Sequence, residues 1–168
     1  GCTDGTPEIV REWAQRDCRI EIIEERERKG KSSAVNLLLS KYNEDLILLV
    51  AADTIPAPGS ILALTKESDR PGVGLISACP IPIRDEPNKG SSRWLGSVVD
   101  LLWRLHNRNL SILSRKASLR HATGEMLLVK GGLVRHIPHK VVNDDAYMAS
   151  EVRKKGYTVE FSRRAKVF

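Results

Sequence analysis

The sequence predicts an α/β fold: a three-layer sandwich with a mostly parallel central sheet flanked by helices. Helical and strand-like patterns alternate along the chain, with no internal repeat and no low-complexity linker. The run Leu46–Ala51 is wholly apolar and lies between Asp45 and Asp53, as in a strand buried on both faces of a parallel sheet. The length, 168 residues, suits one domain with a sizeable core, so residues 1–168 are read as a single domain.

The elements follow in order. Thr6 caps a first helix with Pro7 at its first position, and Val10, Trp13 and Ala14 give it an apolar face. Arg19–Ile23 reads as a short strand. Gly30 and Ser32 lead into a second helix with Ala34, Leu37 and Leu38 on one side. After the apolar strand, Pro56-Ala57-Pro58-Gly59 introduces a helix over Ser60–Lys66, and Val73–Ala78 is the next strand. Residues 84–92 read as a loop. A longer helix, Trp94–Leu110, carries Leu95, Val98, Leu101, Leu102 and Leu105 at helical spacing. Met126–Val129 is a strand. Asn143-Asp144 caps a helix that runs to about Lys155 and is stopped by Gly156. Val159–Phe161 and Ala165–Phe168 read as closing strands.

Composition narrows the function classes. At 41% hydrophobic and 29% charged residues the chain is that of a globular domain rather than a disordered one. Its longest apolar run, Leu46–Ala52, is far short of the roughly 20 residues of a membrane span. The net charge is 27 − 21 = +6, which suits anionic partners as well as a plain solvated surface. Mixed runs such as Glu24-Glu25-Arg26-Glu27-Arg28-Lys29 make a poor phosphate stripe, and 3 Trp, 3 Tyr and 2 Phe offer little base stacking, so no nucleic-acid partner is expected. Cys2, Cys18 and Cys79 are far apart and odd in number, which indicates neither a zinc site nor a disulfide framework and suits a reducing compartment.

Ligands of open α/β sheets bind beyond the carboxyl ends of the strands. Asp4, in a Gly-Cys-Thr-Asp-Gly-Thr turn, Asp53, after the most apolar strand, and Asp144 with Asp145, at a helix start, fall at such places. A carboxylate at Asp53 can hold a hard divalent cation that clamps a diphosphate, or can simply cap the turn before Pro56. Of Asp144 and Asp145, one reads as a helix cap and the other as free to act as a base. His106, His121, His136 and His139 form no metal-ligand pattern and read as solvated or structural.

Together these segments resemble the family 2 inverting glycosyltransferases of GT-A fold. Gly1-Cys2-Thr3-Asp4-Gly5-Thr6 is similar to the family's Gly-Ser-Thr-Asp-Gly-Thr turn after the second strand. Gly30-Lys31-Ser32-Ser33-Ala34-Val35-Asn36 resembles its Gly-Lys-x-x-Ala-x-Asn helix start, and Val50-Ala51-Ala52-Asp53 stands in the place of its Asp-x-Asp motif. Thr123-Gly124-Glu125 looks like the acceptor-side turn, and Asn143-Asp144-Asp145 like the acidic pair that carries the base. The resemblance implies that Asp145 removes the acceptor proton and that Asp53 helps hold Mn²⁺ or Mg²⁺ on the donor diphosphate. It places Asp4 and Lys31 toward the donor, and Gly124, Glu125 and Asp144 toward the acceptor. A nucleotide-sugar donor and a glycan, lipid-linked or other hydroxyl acceptor are the implied partners, with single displacement at the anomeric carbon as the mechanism.

Two departures qualify the resemblance. Ala51 stands where the family has the first Asp of Asp-x-Asp, which is expected to weaken or alter metal binding. The family's opening strands, with a Pro-x-Tyr-Asn-Glu-like segment, are not found before Gly1, so the chain is expected to be N-terminally truncated with a gap where the first strand belongs. No Gln-x-x-Arg-Trp-like segment supports a processive synthase, and no Gly-rich phosphate loop near the start supports a nucleotidyltransferase. A GT-A-like domain that binds a nucleotide or partner without catalysis is the alternative, and a purely structural basic domain a further one. The +6 charge is compatible with a lipid-phosphate acceptor, and the expected location is cytoplasmic, at the cytoplasmic face of a membrane.

Overall fold

The computed structural model describes residues 2–25, 27–42, 44–83 and 91–168, and the side chains of all of these except residues 91–95. The elements are α1 (Thr6–Arg16), α2 (Lys31–Lys41), β1 (Leu46–Val50), α3 (Ser60–Ser68), β2 (Val73–Pro80), α4 (Ser91–Arg115), β3 (Met126–Lys130), α5 (Asp144–Lys154) and β4 (Thr158–Val167).

The strands form a four-stranded sheet in the order β1-β3-β2-β4. It is α/β and layered, as expected, but mixed rather than mostly parallel. β3 runs antiparallel to both β1 and β2, and only β2 and β4 pair in parallel. Residue alternation divides the core. Leu127, Val129, Leu75, Val159 and Phe161 join Val35 of α2, Leu110 of α4 and Met148, Ala149 and Val152 of α5. On the other face Met126, Leu128, Ile76, Ala78, Ala165 and Val167 pack with Leu64 of α3. This places helices on both faces of the sheet, the three-layer arrangement that an α/β pattern requires.

Several elements differ from expectation. β1 is as apolar as a central strand, yet it lies at the edge of the sheet among the described residues and is only partly buried, with Val50 exposed. Arg19–Ile23 forms no strand: Arg19 lies in the turn that follows α1, closed by the Ile20 N–H on the Asp17 carbonyl at 3.0 Å, and the rest is irregular. The two closing strands are one, β4, whose pairing with β2 shifts register between Ser77 and Cys79 and so accommodates the Ser162–Arg164 stretch. In α2 the residue that enters the core is Val35, with Leu39 packed against the same cluster, while Leu37 is exposed. α1 buries no residue, and Trp13 is exposed. Most of the loop expected at 84–92 lies outside the described residues, as do Gly1 and Arg26; Ser91 and Ser92 already belong to α4. Among the described residues no helix is long and apolar enough to cross a membrane.

Candidate functional site

The site forms where the start of α5, the turn before β3, the turn after β1 and the start of α2 converge. At α5, Asn143 is the cap: its Oδ1 accepts from the Ala146 N–H at 2.9 Å. Neither aspartate is needed for capping, contrary to the expectation that one of them caps. Both sit in the first turn, where the helix dipole favours negative charge. Lys31 Nζ lies 3.0 Å from Asp144 Oδ2 and 3.3 Å from Asp145 Oδ1, and the contact with Asp145 has hydrogen-bond geometry. Asp144 Oδ2 is buried, and its ion pair with Lys31 compensates that burial.

Burial pushes the Asp145 carboxyl above the usual aspartate range. Lys31 opposes that shift, while the charges of Asp144 and Glu125 reinforce it. For Lys31, burial works against the charged form, but Asp144 and Asp145 outweigh it and its pKa rises. The result is a carboxylate with proton affinity above that of a surface aspartate, held next to a fixed cation, which is the electrostatic profile of a general base.

Gly124 lies directly against this carboxylate. A Cβ at position 124 would sit 2.2 Å from Asp145 Oδ2 and 2.8 Å from its Cγ. The turn is anchored by Thr123, whose buried Oγ1 donates to the Ala78 carbonyl at 3.1 Å. Glu125 ties it to the end of β1: its carbonyl accepts from the Ala51 N–H at 2.9 Å and from Thr54 Oγ1 at 3.2 Å. Thr54 also donates to the Ala51 carbonyl at 2.8 Å, closing the turn that carries Asp53. The structure thus brings the Asp53 turn to the backbone of Glu125, whose side chain acts electrostatically on Asp145. Glu125 Oε2 is itself buried without a hydrogen-bond partner. Thr54 was not legible as a site residue, because nothing in its local pattern signals a bond to residue 125.

Lys31 opens α2 immediately after Gly30, whose φ of 88° is a left-handed conformation that glycine adopts without strain. A cleft of about 380 Å³ before this helix start is walled by Thr3, Asp4, Arg28, Lys29, Gly30 and Lys31. Asp4 and Lys31 therefore share one surface. Asp4 is also structural. The Thr6 hydroxyl and then the Thr6 N–H, which donates to Asp4 Oδ1 at 3.1 Å, lower the Asp4 pKa, and Gly5 rather than Thr6 holds the cap position of α1. Three bases on the cleft wall, Arg28, Lys29 and Lys31, outnumber the acids Asp4 and Glu25, and beside a helix start they can receive a phosphate.

Asn36 fixes α2 in place. Its Nδ2 donates to the Ile137 carbonyl at 2.8 Å, and its Oδ1 accepts from the Ile137 N–H at 2.7 Å. This two-way bond is a physical reason for Asn in the Gly-Lys-x-x-Ala-x-Asn pattern, and it spans residues remote in sequence. Asn36→Ala leaves both backbone groups of Ile137 unpaired and is expected to lower stability by about 1–3 kcal/mol, read from the urea midpoint. An unchanged midpoint would show that the bond holds nothing.

For a divalent metal, Asp53 supplies one exposed carboxylate on its turn, and Ala51 supplies none. Among the described residues no group of three or more His, Cys, Asp or Glu side chains converges to hold an ion. These residues fit a metal that arrives with a diphosphate, where phosphate oxygens provide most of the ligands and the protein one or two carboxylates. The histidines meet as ring pairs, with centroids 6.2 Å apart for His106 and His121 and 6.1 Å for His136 and His139.

Comparison with known proteins bears on the family and the fold. No curated protein sequence matches the chain. Among solved structures it is similar to a mannosyltransferase from Pyrobaculum calidifontis determined in complex with GDP-Man and Mn²⁺, with a TM-score of 0.75 and 25% identity. That match covers 99% of this chain and 44% of the other, so the chain spans less than half of its structural relative. The glycosyl transferase family 2 model matches residues 1–135, and the chain belongs to glycosyl transferase family 2.

Proposed function

We infer that the protein transfers a hexosyl group from a nucleotide-diphosphate donor to an acceptor hydroxyl with inversion, and that Asp145 is the base. The observation that carries this reading is the Asp145 carboxylate, raised in proton affinity by burial, resting on Gly124 and paired with Lys31. The acceptor hydroxyl gives its proton to Asp145 as its oxygen forms a bond to the anomeric carbon. The bond from that carbon to the diphosphate oxygen breaks, and its electron pair leaves with the nucleotide diphosphate. Lys31 holds Asp145 in place, and the cleft beside Asp4 and Lys31 receives the donor phosphates. A divalent ion held by Asp53 would offset the charge on the departing diphosphate.

GDP-mannose is the first donor to test, because the structural relative was determined with it. Titration calorimetry with GDP-mannose, with and without Mn²⁺, gives the binding, and product mass spectrometry gives the transfer, with the anomer read from the proton NMR coupling of the product. Asp53→Asn is expected to weaken Mn²⁺-dependent donor binding by at least about tenfold and to leave metal-free binding unchanged. Donor binding without turnover over a panel of sugars and acceptors would instead identify a nucleotide-binding domain without catalysis. A retaining product would refute the single displacement.

A further inference from the structure

The long helix α4 is oriented opposite to what its sequence predicts. The face on the sheet is narrow and partly polar: Leu110 and Ser111 are buried, Asn107 donates to the Pro80 carbonyl at 2.8 Å, and Ser114 Oγ accepts from the Phe161 N–H at 2.9 Å. The apolar stripe points outward. Leu101 is 56% exposed, Leu102 59% and Leu105 53%, with Ile112 also exposed. Leu95, expected on the same stripe, has a side chain outside the described residues. At about 100° per residue, the exposed Leu101, Ile112, Leu105 and Leu102 span an arc of about 100°, interrupted only by the exposed amide of Asn109. Arg104, Arg115 and Arg108 follow along one border of that arc.

Beside this border lies a groove of about 880 Å³ between α4 and residues 79–82, where Arg104, Arg108 and Arg115 are joined by Arg163 of β4. Asp100 is the single acid in α4, and it lines the same groove. An exposed leucine stripe of this extent marks an interaction surface. An apolar face bordered by arginines and nearly free of acids complements hydrocarbon beneath negative headgroups. The helix is 25 residues long, and among the described residues no helix is apolar enough to cross a bilayer, so any contact with a bilayer would be lengthwise.

We propose that α4 lies in the interface of an anionic membrane, with Leu101, Leu102 and Leu105 inserted among the acyl chains and Arg104, Arg108 and Arg115 on the headgroup phosphates. The proposal does not depend on sugar transfer, because membrane uptake is measured without donor or acceptor. The test is co-sedimentation of the protein with phosphatidylcholine vesicles that contain phosphatidylglycerol, against pure phosphatidylcholine. Uptake by the anionic vesicles should exceed uptake by neutral ones and fall as salt rises. Each Arg→Gln change at Arg104 or Arg108 should lower the partition coefficient about fivefold. Leu101→Glu with Leu105→Glu should abolish uptake, while the circular dichroism spectrum stays that of the parent. Leu101→Ala with Leu105→Ala, which keeps helix propensity, should weaken uptake and covers the case in which the glutamate pair fails to fold.

Three results would overturn the proposal. One is no uptake at low salt by folded protein. Another is equal uptake by neutral and anionic vesicles. The third is a dimer in sedimentation velocity that the leucine substitutions dissolve without any vesicle uptake by the parent, which would assign the stripe to a second copy.

Discussion

Asparagine at position 145 is expected to lower kcat for sugar transfer by about 10²- to 10⁴-fold while donor affinity changes little. The amide has the shape of the carboxylate and still accepts from Lys31, 3.3 Å away in the parent, but it cannot take a proton. The same group sets the pH profile. Burial raises the Asp145 pKa, so the base is protonated, and activity lost, at a pH above that of an ordinary aspartate. The acid limb of kcat therefore lies to the alkaline side of the usual aspartate range. Lys31 opposes that shift, so Lys31→Met should move the limb further up in pH. Initial rates across pH for the parent and both variants check this. A kcat within threefold of the parent for Asp145→Asn would remove Asp145 from the role of base, since even the low end of general-base catalysis is about 10²-fold.

The start of α2 and both ends of α5 were legible in the sequence because their signals are local, whereas α4 begins at Ser91 rather than Trp94. Asn143 before Asp144 and Asp145, Gly30 before Lys31 and Gly156 after Lys155 act through groups within a few residues, and each of these boundaries falls where those signals put it. The sheet was legible only as a set of strands. Leu46–Val50 is apolar enough for a central strand, yet strand order and direction depend on long-range pairing that no short run encodes, and the strand lies at an edge beside an antiparallel neighbour. For α4, periodicity revealed an amphipathic helix and nothing about which side meets the sheet; Asn107 and Ser114 turn inward because Pro80 and Phe161 offer them backbone partners. The residues of the candidate site could be named one by one through the family resemblance. Its assembly was not: Lys31 with Asp145, Asn36 with Ile137 and Gly124 with Asp145 are contacts between segments far apart in the chain.

Gly124→Ala separates stability from catalysis more sharply than any other change in the site. The backbone at 124 is not in the left-handed region, so alanine can adopt it, and the restriction of the unfolded chain favours the variant by about 0.4–1 kcal/mol. The three nearest atoms all belong to one group: the new methyl would sit 2.2 Å from Asp145 Oδ2, 2.8 Å from Cγ and 2.9 Å from Oδ1. Asp145 is anchored in the first turn of α5, so its short side chain relieves the clash by swinging the carboxylate away from Lys31 and from the acceptor position. A displacement of about 1 Å costs on the order of 10²-fold in rate when geometry decides the reaction. The expected outcome is a melting temperature equal to or above the parent's and a kcat about 10²-fold lower. Adding Asp145→Asn to Gly124→Ala supplies the control. If Gly124 acts through the carboxylate, the double variant is no slower than Asp145→Asn alone, because the displaced group has already lost its function. If the two losses multiply, Gly124 meets the acceptor itself; the acceptor KM then rises in Gly124→Ala, and the close approach of Asp145 to this glycine is a packing contact rather than the means of placing the base.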